Sequence, residues 1–431
     1  DMAKHIEDNL PKTMEITGDK DISLQKVQDG KNTLEEFVAQ LSVEELAQIV
    51  RGEGMSNPRV TQGTASAFGG ISDALFNYGI PAACCADGPS GVRYDGKATQ
   101  LPIGTALAAS WNAPLVRELY TMEGEELRAN QVDTLLGPGV NIHRHPLNGR
   151  NFEYYSEDPY LSGTMSVAST GGIKDGGAWG TIKHFALNGQ ESHRFKIDAV
   201  CSERAIREIY LKSFEMAVKE KTVMTLMTSY NPVNGHWAAS NYDLCTTVLR
   251  GEWGYEGLVM TDWWAKMNDV VEGGEESNQD TRNMIRSQND VYMVVNNNGA
   301  EVNSNNDNTE QSVKDGTLTV GELQRAAINI CNVILHSQVI ERELVDTDVA
   351  KYYPSVDVSE AKYQQFNLSE DNKVMFDSGK VATVIVEEDA EYTIIVNIAF
   401  DKSNLAQSTV NVNANGENVV VIQTNGTDGN W

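Results

Sequence analysis

A chain of 431 residues is long enough for more than one hydrophobic core. Its 34 Lys and Arg against 61 Asp and Glu leave a net charge of -27, a field that repels nucleic-acid phosphates and anionic membranes and suits a neutral substrate. The five cysteines, odd in number and including the neighbours Cys84 and Cys85, argue against a disulfide framework, and no apolar run reaches the length of about 18 residues that a membrane span needs.

In chain order, residues 1–32 are polar and weakly patterned and read as a linker or the tail of a preceding domain. Thr33-Leu34-Glu35-Glu36 and Ser42-Val43-Glu44-Glu45 are consecutive capping boxes, so two short helices are expected to open the main domain. From 33 to 337, apolar runs alternate with helical periods. Thr134-Leu135-Leu136 leads into a polar segment reaching Arg144, and Thr181-Ile182 leads into Lys183-His184-Phe185. Ser202 is placed to cap a helix whose stripe is Ile206, Tyr210, Phe214 and Ala217. Val223 to Met227 and Gly257 to Met260 are further strands, and Thr319-Val320-Gly321-Glu322 caps a last helix. Strands alternating with helices over this length predict an α/β fold, a (β/α)8 TIM-like barrel or a close variant. After a linker at 338–351, residues 352–431 change period. Val381–Val386, Tyr392–Ile398 and Asn418–Ile422 are β-rich runs parted by acidic or Asn-Gly turns, predicting a small antiparallel β-sandwich that is incomplete as given.

Buried parallel strands deliver their first polar side chains to the C-terminal rim of a barrel. Asp262 stands there, followed by Trp263 and Trp264, aromatic surface suited to a sugar ring. As a carboxylate it fits a glycosidic nucleophile, with helix capping as the plainer alternative. Lys183 and His184 can donate to hydroxyls and hold Asp262 ionised, although Lys183 also fits a Schiff-base amine. His143 and His145 share a face of an extended segment, but Arg144 and Arg150 oppose a cation, so no metal is expected. Gly137-Pro138-Gly139 reads as a tight turn rather than a phosphate loop.

Several long motifs occur in the order found in glycoside hydrolase family 3. They are Asp87-Gly88-Pro89-Ser90-Gly91-Val92-Arg93, Leu135 through His143, Gly149 through Pro159, Lys183-His184-Phe185, Ser202-Glu203-Arg204 and Thr261-Asp262-Trp263. Over about 33–337 the chain resembles the β-glucosidase branch of that family. The resemblance implies a retaining, exo-acting enzyme on terminal β-glucosyl residues of glucosides or cello-oligosaccharides, without a cofactor, in which Asp262 forms a covalent glycosyl-enzyme. It implies that Asp87 grips hydroxyls of the terminal sugar, that Arg93, Arg150, Lys183 and His184 bind further hydroxyls, that Met227 and Tyr230 line the pocket, and that Trp263 is the aromatic platform.

Two departures stand out. Asn188-Gly189-Gln190-Glu191 replaces the common Asn-Asn-Gln-Glu, which suggests a looser loop. The branch carries its acid/base Glu on a separate α/β sandwich domain, and 338–431 lacks that pattern, so this group is expected from a preceding domain or a companion chain. In another branch a loop His supplies it; His193 sits in that region without the Pro-Gly-His-Gly run, which disfavours N-acetylglucosaminides. A β-xylosidase activity, a carbohydrate-binding subunit without catalysis and a lyase using Lys183 are the alternatives. Neither nucleic acid nor membrane is expected as a partner, and self-association is left open.

Overall fold

In the computed structural model the described residues are 2–344 apart from residue 56, together with strand segments at 365–366, 383–384, 408–414 and 417–424. The chain divides into two compact units, Asp1–Val345 and Asp346–Trp431.

The first unit is built on eight strands: β1 (Arg51–Glu53), β2 (Ser66–Gly69), β3 (Ala82–Asp87), β4 (Thr134–Leu136), β5 (Trp179–Phe185), β6 (Thr225–Thr228), β7 (Leu258–Met260) and β8 (Tyr292–Val295). They lie side by side in the order β8-β1-β2-β3-β4-β5-β6-β7. A parallel bridge between Met260 and Val291, the residue before β8, brings the two edges together, so the sheet is a nearly closed barrel. Strand β2 pairs antiparallel with both β1 and β3, whereas every other pairing is parallel. This departs from the all-parallel (β/α)8 expectation. The connections on either side of β2 are only twelve residues each, 54–65 and 70–81, near the least that a helical crossover between parallel neighbours requires.

Alternation along the central strands explains why consecutive apolar residues are both buried. Leu135, Leu226 and Val259 pack into one cluster with the helices α3 (Ala113–Ala129), α4 (Pro159–Asp175) and α5 (Lys212–Lys219). Their neighbours Leu136, Met227 and Met260 belong to a second cluster with α1 (Leu34–Ala39), α2 (Val43–Ile49) and α6 (Val320–Leu335). Each strand is therefore buried on both faces, and each Leu or Met so enclosed contributes about 1.5–3 kcal/mol relative to exposure. Three hydroxyls close a triangle across β4, β5 and β6, with Thr134, Thr181 and Thr225 Oγ1 atoms 2.8–3.2 Å apart.

All three capping boxes form. The Thr33, Ser42 and Thr319 hydroxyls accept from the amides of Glu36, Glu45 and Glu322, whose carboxylates accept in return from the cap amides. Ser202 also caps as expected, but the helix it opens passes through a π turn at Ile206–Tyr210 before α5, which shifts the phase of the stripe: Phe214 and Ala217 are buried, Ile206 and Tyr210 only partly. Residues before 33, expected as a linker or the tail of a preceding domain, dock on the barrel. Leu24 is fully buried, and the Gln324 side chain on α6 donates to Met14 O at 3.0 Å and accepts from Met14 N at 2.9 Å. Beyond α6, Gln338–Glu341 adds a 3-10 turn with Val339 and Ile340 buried, so part of the expected 338–351 linker also belongs to the barrel.

In the second unit Ser408–Ala414 pairs antiparallel with Glu417–Thr424, parted by Asn415-Gly416, a dipeptide that favours a two-residue hairpin. Gln365–Phe366 pairs with Thr383–Val384 in parallel, unlike the antiparallel pairing expected, and the run at 392–398 lies outside the described residues.

Candidate active site

Because β3 to β8 and β1 share a direction, the segments leaving β3, β4, β5, β6 and β7 converge on one rim. Asp87 is the last residue of β3. The turn after it needs glycine at 88, where φ is 139° and a Cβ would stand 2.0 Å from Gly91 O. That turn brings Arg93 back, its amide donating to Asp87 O at 2.8 Å and its Nη1 to Asp87 Oδ2 at 2.8 Å. The other carboxylate oxygen accepts from Lys183 Nζ at 3.0 Å. Burial alone would raise the Asp87 pKa, but Lys183 and Arg93, with Arg150 farther off, hold it below the usual carboxylate range.

Lys183 and His184 lie within β5 rather than after it. The register of β5 against β6 shifts between Ile182 and Phe185, and the two side chains take separate partners. Lys183 turns to Asp87, a pairing that leaves the Schiff-base reading without a free amine. His184 is fixed through its backbone by Asn141, whose Oδ1 accepts from His184 N at 2.7 Å and whose Nδ2 donates to His184 O at 2.8 Å. Its ring lies with Nδ1 3.1 Å from Tyr154 Oη and Nε2 3.7 Å from Asp262 Oδ2. Burial first, then Arg150, Lys183 and Arg194, push the imidazole pKa well below its ordinary value, so the ring is neutral.

Asp262 follows β7 by two residues. Thr261 locks this segment to β8, its hydroxyl donating to Met293 O at 3.2 Å and accepting from Met293 N at 2.8 Å, and Trp264 N donates to Met293 O at 2.7 Å. Asp262 Oδ1 accepts from Trp263 N at 2.8 Å, while Oδ2 is buried without a hydrogen bond at ordinary geometry. Burial pushes its pKa above the usual Asp value, opposed by Arg150, the Trp263 amide, Lys183 and the Tyr230 hydroxyl. Arg150 reaches the site from the segment after β4, its Nε paired with Glu153. Tyr230 follows β6 and is buried, with the Arg194 guanidinium 4.7 Å from its ring centroid.

The structure thus brings Asp87, Arg93, Lys183, Arg150, His184, Tyr230 and Asp262 to one rim. Met227 and Trp263 are buried in the apolar core, and of the pair Trp263-Trp264 it is Trp264 that has an exposed face, at 43 %. The sequence reading missed Arg194, Tyr154, Asn188 and Asn141 as members of the site. Tyr154 and Asn141 lie inside runs already singled out, but neither type of side chain announces a role by spacing; Arg194 carries no local pattern at all. Beside the rim, a cleft of about 450 Å³ opens between residues 144–149 and 189–192, with Glu191 in its wall.

Carboxylates, cations and a neutral imidazole presented where parallel barrel strands end define a barrel of the enzyme type. Within that class the chain belongs to glycosyl hydrolase family 3, whose N-terminal domain model matches residues 17–333. It is 46 % identical over 432 residues to a beta-glucosidase of Ruminococcus albus, a match that covers 97 % of this chain and 45 % of that protein. Among solved structures it resembles a beta-glucosidase from Paenibacillus barengoltzii at 55 % identity and a TM-score of 0.79, over 100 % of this chain and 47 % of that one. It also resembles beta-glucosidase 3B from Thermotoga neapolitana in complex with glucose, at 36 % identity and a TM-score of 0.64, over 72 % of this chain and 43 % of that one. The chain therefore spans about half the length of these relatives.

Proposed function

We propose that this chain carries the nucleophile and the sugar-binding rim of a retaining β-glucosidase that removes terminal non-reducing β-D-glucosyl residues. The observation that carries the reading is Asp262 Oδ2, an oxygen without a hydrogen bond beside His184 Nε2, at the rim shared with the Asp87–Lys183 pair. In the first step Oδ2 attacks the anomeric carbon while the glycosidic oxygen leaves with a proton from a carboxylic acid; in the second, water deprotonated by the same group releases the sugar with retained configuration. Arg150 and Lys183 favour the ionised carboxylate that the first step requires. Asp87, held ionised by Lys183 and Arg93, is the acceptor for hydroxyls of the terminal sugar, with Lys183, Arg93, Arg150 and His184 as donors and Tyr230 as a wall. We assign the acid/base to a segment outside this chain, on a further domain or companion polypeptide, and the second unit to a β-sandwich. The identities of the relatives favour glucosides over xylosides or N-acetylglucosaminides.

Labelling tests the reading. With the complete protein, a 2-fluoro-β-glucoside bearing a good leaving group should modify one equivalent of enzyme, and peptide mapping should place the sugar on Asp262. A label on any other carboxylate removes the assignment, and sugar binding without a label in the complete protein would make the chain a binding subunit.

A further inference from the structure

Four side chains link Asp262 to the loop that follows β5. Glu191 Oε1 accepts from Asn188 Nδ2 at 3.1 Å, the same nitrogen donates to Tyr154 Oη at 3.0 Å, Tyr154 Oη lies 3.1 Å from His184 Nδ1, and His184 Nε2 lies 3.7 Å from Asp262 Oδ2. Tyr154, Asn188 and His184 are each at most 2 % exposed, so the direction of every bond in the line is set by its neighbours rather than by bulk water.

One end fixes that direction. Glu191, in a salt bridge with Arg194 at 2.7 Å, is a carboxylate and can only accept. Asn188 must therefore turn its NH2 toward Glu191, and the second hydrogen of that NH2 goes to Tyr154. The cost is visible: Asn188 Oδ1 is buried without a partner. A phenol oxygen that already accepts sends its single proton elsewhere, and His184 Nδ1 is the acceptor in reach. A neutral imidazole that accepts at Nδ1 carries its proton on Nε2, the nitrogen beside Asp262.

We propose that Glu191 and Tyr154 are positioning residues that fix His184 as the neutral Nε2–H tautomer, so that a donor and not a lone pair faces the Asp262 carboxylate. This rests on the reading of Asp262 as the reacting group only for its effect on rate; the tautomer itself is independent of turnover. The opposite tautomer would set a nitrogen lone pair against Oδ2 and disfavour the ionised form that attacks. Arg150, Lys183, the Trp263 amide and Tyr230 face the same carboxylate and remain in place when the line is cut, so cutting it shifts proton affinity without abolishing ionisation.

Histidine tautomers are read directly by long-range 1H–15N correlation on the full-length protein labelled with [15N]histidine. The chain has seven histidines, and loss of one pattern in His184→Gln assigns the signal. The expected result is an Nε2–H pattern from pH 5.5 to 7.5. In Tyr154→Phe the lock is absent, and in Glu191→Gln the glutamine can donate to a flipped Asn188, so both should show an Nδ1–H fraction. In both, inactivation by the 2-fluoro glucoside should slow about tenfold, with its acidic limb moved to higher pH. An Nδ1–H pattern in the parent protein overturns the proposal, as does an unchanged Nε2–H pattern in both folded variants. Failure of the hydrolase reading would appear instead as an absent label on Asp262 with the tautomer result intact.

Discussion

Two aspartates on one rim have their proton affinities pushed in opposite directions, and their neighbours decide which way. Asp87 has two cations bonded to its oxygens; Asp262 has one backbone amide and an unbonded oxygen. For Asp87, with its pKa depressed on folding, the linkage adds stability above the ordinary Asp pKa and loses it as pH falls through the folded value. Asp87→Asn should flatten acid denaturation of the folded chain at that end. It should also lower kcat/KM about 10- to 100-fold, the worth of one charged hydrogen bond of about 1.5–3 kcal/mol. For Asp262 the sign reverses. Its raised pKa makes the folded state the better proton holder, so stability is lost as pH rises from the ordinary Asp value through the folded one. Asp262→Asn should therefore lower turnover by about 10⁴-fold or more, yet melt at the same or a higher temperature than the parent at pH 7, with the difference gone at acid pH. Asp262 was legible from sequence because it follows an apolar strand, and Asp87 through the motif that carries the family resemblance. The sense of their pKa shifts was not, since it depends on Lys183, Arg93 and Arg150 arriving from other strands.

At the scale of elements, capping boxes announced α1, α2 and α6 because the cap and its partner are three residues apart, a purely local signal. The π turn ahead of α5 and the docking of residues 11–28 on α6 depend on packing, and no local pattern encodes them. Helix α3 contains the sharpest local conflict. Glu123 is 2 % exposed with neither carboxylate oxygen hydrogen-bonded, and burial pushes its pKa up to about 8. The folded state thus keeps a proton that the unfolded chain releases near the ordinary Glu value, so stability falls as pH rises from there to about 8. Glu123→Met should stabilise the protein by about 1–3 kcal/mol at pH 8 and by much less at pH 4.5, measured by denaturant midpoints at the two pH values.

For the whole molecule, the division after Val345 matches a first unit that encloses two large apolar clusters and a small third one of its own. Residues 1–345 produced alone should give a native-like circular dichroism spectrum and a single cooperative melting transition; a broad, non-cooperative melt would contradict the division. The barrel was readable in outline because alternating strands and helices leave few architectures. Its reversed strand was not, since direction within a sheet leaves no mark on a four-residue strand such as Ser66–Gly69.

That reversal also sets an order of events. The chain between β1 and β2, and between β2 and β3, is twelve residues long, against 46 residues (88–133) between β3 and β4. Closing the longer span costs about 1 kcal/mol more in chain entropy, from the logarithmic growth of that cost with length. During refolding the β1–β2–β3 meander should be the earliest part of the sheet to form, and pulsed hydrogen exchange should find amides of 66–69 and 82–86 protected before those of 225–228 and 258–260. The antiparallel strand would then be the seed on which the slower parallel staves are laid.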